Sequence, residues 1–184
     1  MPFKNPHHIP LRDIPPQGKS YEVSDVQVWQ APLEEFHMDC RLEDTPLMEL
    51  TVLPVDEGWL LRGRIEARVI LPCIRCTADI PVTIDERFED YIQQPDEGEA
   101  LPENDFAEGD DHLLLEHGAL MLDLEAIAWE QFALALPPTP LCRPDCRGLC
   151  PHCGADLNKG PCSCPAEEGD PRLAVLRGIR IKKA

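Results

Sequence analysis

At 184 residues the chain is long enough for one or two domains with a genuine core, and 43% of its residues are hydrophobic although only 5% are aromatic. The formal net charge of −17 is unevenly divided: residues 1–140 hold nine Lys and Arg against 29 Asp and Glu, net −20, while residues 141–184 hold eight against five, net +3. An acidic part of that size excludes a general polyanion sleeve, and no apolar run approaches the ~20 residues that a membrane-spanning helix needs.

The opening text, MPFKNPHHIPLRDIPP, lacks a basic start followed by an apolar stretch. With no export signal visible, the expected location is cytoplasmic and the thiols are expected to stay reduced. A proline-rich entry ends near Gly18. A strand region is expected from Tyr21 through Val23, Val26 and Val28, with a further short segment over 33–40.

The clearest β signal follows. Residues 47–55 lead through the turn cluster Asp56-Glu57-Gly58 into Trp59, Leu61, Gly63, Ile65, Ala67, Val69 and Leu71 on one face, with Arg62, Arg64, Glu66 and Arg68 on the other. This is period-two alternation. A second such run, Ala78, Ile80, Val82, Ile84 and Phe88, alternates with Asp79, Thr83, Asp85 and Arg87. Between the two strands stand Cys73 and Cys76, where a hairpin should turn. The simpler reading is two reduced thiols at a sheet or barrel rim; the other is a second ligand pair, which with later cysteines would give eight thiols for two sites. Arg75 between them is a candidate partner contact. Cys40, alone, reads as a buried inert thiol.

Residues 93–111 carry eight acids and no base, with Pro and Gly, the composition of a solvated loop or linker. Asp123 then precedes an apolar stretch in which Leu124, Ile127, Ala128, Gln131, Leu134 and Ala135 follow helical spacing, before Pro137-Pro138. Asp123 caps this helix, expected near 123–136, and its stripe is core. The six histidines are scattered in polar text and read as surface side chains.

Six of the nine cysteines fall late, as Cys142-x3-Cys146-x3-Cys150-x2-Cys153-x8-Cys162-x-Cys164. That density is a metal-site signature. Pro151 stiffens the span between two thiols, and Gly154 can take the positive φ that turns backbone N–H groups toward thiolate sulfur. Structural Zn2+ is favoured over disulfides, because no export is foreseen, and over a catalytic thiol, because His152 is wedged inside the knuckle. An iron–sulfur cluster uses the same ligands, and Cys146-x3-Cys150-x2-Cys153 matches the spacing of radical enzymes, but too little chain follows to build their βα barrel. The compact set Cys142, Cys146, Cys150 and Cys153 is the first choice of ligands, with Cys162 and Cys164 as alternates for its first pair. Four thiolates leave no open position for water, so such a site builds structure. After the last acid, Asp170, come Arg172, Arg177, Arg180, Lys182 and Lys183, which either form a solvated basic tail or meet phosphates.

The chain is thus expected to be α+β: a predominantly antiparallel β body (a sheet or partly open barrel) with one main helix over 1–140, then a cysteine-rich zinc segment and basic tail over 141–184. No Gly-rich phosphate loop or Ser-His-Asp text points to an enzyme.

The order of Cys73, Arg75 and Cys76 between strands, an acidic loop, Leu122-Asp123-Leu124 opening a helix that closes in Ala135-Leu136-Pro137, then LCRPDCRGLCPHCGADLN and DPRLAVLRGI, resembles the YceD family of bacterial and plastid proteins. The resemblance runs from about Val23 to Ile179. It implies a non-enzymatic factor that supports 23S rRNA accumulation through processing or assembly of the large ribosomal subunit. Its partner would be large-subunit rRNA or a basic large-subunit ribosomal protein. The competing class is an iron–sulfur or zinc-dependent redox or hydrolytic protein.

Overall fold

The structure, a computed structural model, describes residues 5–95 and 112–164. Most of the acidic segment expected at 93–111 lies outside the described residues, as do Arg172, Arg177, Arg180, Lys182 and Lys183.

Among the described residues the architecture is mostly antiparallel sheet with two α-helices and no closed barrel. In chain order the elements are β1 (His8–Pro10), β2 (Lys19–Val23), α1 (Val26–Glu35), β3 (Arg41–Leu42), β4 (Leu47–Val55), β5 (Gly58–Pro72), β6 (Asp79–Gln93), β7 (Leu113–Glu116), β8 (Ala119–Asp123) and α2 (Leu124–Ala135). Strand β5 organises the larger sheet: β4 and the short β3 share one of its edges, β6 pairs along the whole of the other, and β2 extends the sheet beyond β4. The smaller sheet has the order β1-β8-β7.

The expected alternation holds in β5, where Leu61, Ile65, Ala67, Val69 and Leu71 are buried and the arginines lie outside. On that outer face Arg64 meets Asp85 at 2.7 Å and Arg62 meets Glu89 at 2.6 Å. Exposed pairs of this kind contribute at most about 1 kcal/mol each.

Two expectations change. Residues 26–35 form a helix, not a strand: Asp25 accepts from Gln27 N at 3.0 Å as its N-cap, and Val28, Trp29 and Leu33 turn to the core while Val26 faces out. The valines favour β structure locally, but cap and packing decide. In α2, Asp123 caps as expected, accepting from Glu125 N at 2.9 Å and Ala126 N at 3.1 Å. Its buried face is Leu124, Ile127, Ala128 and Phe132, whereas Leu134 is 71% exposed. This helix is apolar nearly all round, so spacing alone could not orient it. The Trp29 ring from α1 fixes the choice by meeting Phe132 edge-on at 5.6 Å.

Candidate metal centres

The connection between β5 and β6 is a six-residue turn closed by two backbone bonds: Cys73 N donates to Ala78 O at 2.8 Å, and Thr77 N donates to Cys73 O at 2.8 Å. The same construction recurs at 150–155, where Cys150 N donates to Ala155 O at 2.8 Å and Gly154 N to Cys150 O at 2.9 Å. The fifth residue takes positive φ in both, +57° at Thr77 and +71° at Gly154. The sequences match too, as Cys73-Ile-Arg-Cys76-Thr-Ala78-Asp79 and Cys150-Pro-His-Cys153-Gly-Ala155-Asp156. Each turn holds two thiols on one side and aims N–H groups at sulfur.

Each turn is completed by another cysteine pair. Cys73, Cys76, Cys142 and Cys146 form one group, and Cys150, Cys153, Cys162 and Cys164 a second, with all four sulfurs of a group within 4.8 Å of one another. Among these, Cys73 and Cys146 stand 3.8 Å apart, Cys76 and Cys142 3.6 Å, and Cys150 and Cys162 3.4 Å. A tetrahedral ion with sulfurs at ~2.3 Å separates them by about 3.8 Å. Both groups therefore have the donor set and spacing to hold a metal ion.

The charges of the thiols fit the same donor role. The backbone N–H of Cys142, with those of Arg75 and Cys76, brings the Cys73 thiol down to about 6. The backbone N–H groups of Cys153 and His152, with the Cys162 thiol, bring Cys150 to about 6. Opposing this, the Cys146 and Cys76 side chains push Cys142 up to about 12, and that of Cys153 does the same to Cys164. Four sulfurs this close cannot all carry charge without a cation between them.

The first group ties the C-terminal segment to the sheet. The Arg75 guanidinium donates to Cys146 O at 2.8 Å, and Leu149 N donates to Arg75 O at 3.1 Å. Gly148 lies at φ +73°, where a Cβ would come within 2.9 Å of that same carbonyl. Only glycine fits this approach without displacement. Arg75, a candidate partner contact from sequence, is exposed and makes this bond within the molecule.

The compact set Cys142, Cys146, Cys150 and Cys153 does not meet at one point. Its first two members face the hairpin pair Cys73 and Cys76, and its last two face Cys162 and Cys164. Chain proximity misled because β5 and β6 carry residues 73–78 to the later segment; the repeated Cys-x2-Cys-x-Ala-Asp text was the available signal. Cys40 is buried apart from both groups, and burial pushes its thiol up to about 11. Three histidines are not surface side chains: His7, His8 and His112 are half-buried beside carboxylates, with His8 Nδ1 3.3 Å from Glu116 and His112 Nε2 2.5 Å from Glu130.

Fold and site together define an α+β protein whose main sheet carries one four-thiol group at a hairpin end, with a second formed by residues 150–164, each able to hold a metal ion. Residues 61–180 match the family described as large ribosomal RNA subunit accumulation protein YceD. The chain belongs to the YceD family. An uncharacterized protein of Mycobacterium tuberculosis is 32% identical over 131 residues, covering 70% of this chain and 59% of the relative. One from Mycobacterium leprae is 29% identical over 148 residues, covering 80% and 59%. The large ribosomal RNA subunit accumulation protein YCED homolog 1, chloroplastic, of Arabidopsis thaliana is 27% identical over 159 residues, covering 75% and 50%. The chain thus spans between half and three-fifths of the length of these curated relatives. No solved structure matches it. No helix among the described residues is long and apolar enough to cross a membrane.

Proposed function

We propose that this chain is a non-enzymatic, cytoplasmic factor that supports 23S rRNA accumulation through processing or assembly of the large ribosomal subunit, with Zn2+ as a structural ion in its thiol groups. The observation that carries the reading is the closed four-thiol group joining the hairpin to the C-terminal segment in a chain related to a protein named for large ribosomal RNA accumulation. Four thiolates fill a tetrahedron and leave no position for a reacting water, which favours a scaffold over a hydrolase. In a zinc-holding site the group clasps residues 142–146 to the hairpin, and the sequence divides its charge between a −20 part over 1–140 and a +3 part over 141–184.

That charge division favours a basic ribosomal protein as the partner held by the body, with rRNA reached by the tail, since opposite fields steer encounter and like fields repel. The test is depletion in the parent bacterium with pull-down from its lysate at low and high salt. The proposal expects a fall of 23S relative to 16S rRNA, and recovery of a large-subunit protein or rRNA that weakens as salt rises. Unchanged 23S levels with no ribosomal component recovered in either salt would overturn it. Purified protein should be colourless with bound zinc; brown protein absorbing near ~400 nm would instead identify an iron–sulfur protein, which uses the same four-thiolate ligation.

A further inference from the structure

One residue that ligates neither group connects the two. Asn158 lies in the loop between Cys153 and Cys162, yet its side chain faces the first group: Nδ2 donates to Cys146 Sγ at 3.4 Å. Its Oδ1 accepts from Arg147 N at 2.8 Å and from Arg143 Nη2 at 2.7 Å, both on the segment that carries Cys146. Its own backbone N–H reaches Asp156 Oδ1 at 3.0 Å, and Nδ2 reaches the same oxygen at 2.9 Å. The amide therefore holds a sulfur of one group while its backbone belongs to the chain that the other group closes.

We propose that Asn158 is a positioning residue that couples the two metal sites, so that filling the Cys150, Cys153, Cys162 and Cys164 site tightens the Cys73, Cys76, Cys142 and Cys146 site. This rests on reading both groups as metal sites and adds that they are not independent.

Loop length and hydrogen bonding both set the direction. First, Cys150 and Cys162 are only 12 positions apart, whereas Cys76 and Cys142 are separated by 66. Closing the shorter loop costs less chain entropy, so the second site can form locally and the first requires the folded hairpin. Second, an ion in the second site orders residues 154–161, and with them the donor that reaches Cys146. Hydrogen bonds to metal-bound ligands orient them, and their loss typically lowers metal affinity 10- to 100-fold. Coupling between binding sites is reciprocal, so an ion in the first site also tightens the second by the same factor.

The experiment titrates zinc alone against the full chain with a competing chromogenic chelator. The Cys73→Ser, Cys76→Ser variant serves as the reference for the second site alone. Asn158→Asp keeps the oxygen that accepts from Arg147 and Arg143 but replaces the sulfur's N–H donor by a carboxylate oxygen. Cys162→Ser with Cys164→Ser empties the second site and leaves Asn158 in place. The proposal expects two zinc ions in the wild type and two in Asn158→Asp, with the first-site dissociation constant raised about 10-fold or more in that variant. The Cys162, Cys164 variant should hold one ion, also weakened, and adding Asn158→Asp to it should weaken that ion much less than it does in the wild type. Circular dichroism shows that each variant keeps its fold. Unchanged first-site affinity in either Asn158→Asp or the Cys162, Cys164 variant would overturn the coupling. A wild-type chain without stoichiometric metal would overturn the underlying metal-site reading, a result distinct from two tightly and independently bound ions.

Discussion

The two thiol groups are built from the same turn but are set in different surroundings. In the first group Cys73, Cys76 and Cys146 are buried and only Cys142 is exposed; in the second only Cys150 is buried, Cys153 is exposed, and Cys162 and Cys164 are half-buried. The first joins parts of the chain 66 positions apart against a hairpin of two fifteen-residue strands, while the second closes on itself. A shared local motif can thus make one site that fastens a segment to a sheet and another that folds the segment itself. Which of the two it makes depends on the partner pair the tertiary structure supplies.

The sharpest way to break this contrast is to remove the first site alone. Cys73→Ser with Cys76→Ser should release residues 141–149 from the sheet, seen as rapid cleavage there under limited proteolysis, with stability falling by several kcal/mol because metal binding energy is folding energy. Wild-type protease resistance would mean that the site fastens nothing. Trp29→Ala should lower the unfolding free energy by about 3–5 kcal/mol in chemical denaturation, since a fully buried indole packed on Phe132 is lost. It should leave the second site's zinc affinity unchanged; a parallel loss there would show that the second group is not locally folded.

Gly148→Ala probes the contact between hairpin and segment. With positive φ and the Arg75 carbonyl 2.9 Å from the new Cβ, it should cost about 1–3 kcal/mol and weaken the first site more than the second. Equal weakening of both would contradict the division.

Acidity gives a smaller, graded effect. In the metal-free protein Cys73 and Cys150, depressed from 9.0 to about 6, contribute stability that is full above pH 9 and lost as pH falls through 6. Cys142 and Cys164, raised to about 12, contribute below pH 9 and lose it as pH rises through 12. Because the last two bind protons at neutral pH, zinc uptake must displace at least one proton from each site. Calorimetry in buffers of different ionisation enthalpy should show that release at pH 7.5, and zinc should be lost as pH drops below about 6. Uptake without proton release would contradict four-thiolate ligation.

Much of this was legible in the residues. Strands β4, β5 and β6 followed from alternation and the Asp56-Glu57-Gly58 turn, and α2 from Asp123 and the prolines after it. Helix α1 was hidden because Val26 and Val28 mimic a strand, and its identity rests on Asp25 capping and on Trp29 finding Phe132. The small sheet was not legible: β1, β7 and β8 are three to five residues long, and although β7 and β8 form a local hairpin, β1 joins β8 across a wide gap in sequence. The cysteines suggested metal binding, and spacing named Cys162 and Cys164 as alternates to join Cys150 and Cys153, but the other group did not follow from spacing, because only the hairpin places Cys73 and Cys76 beside Cys142 and Cys146.

The most direct test of the central claim is native mass spectrometry with metal analysis on zinc-grown wild-type protein and on two variants, Cys73→Ser, Cys76→Ser and Cys162→Ser, Cys164→Ser. The account predicts two zinc ions in the wild type and one in each variant. One ion in the wild type that survives both variants would place it on Cys142, Cys146, Cys150 and Cys153 and contradict the two-site structure.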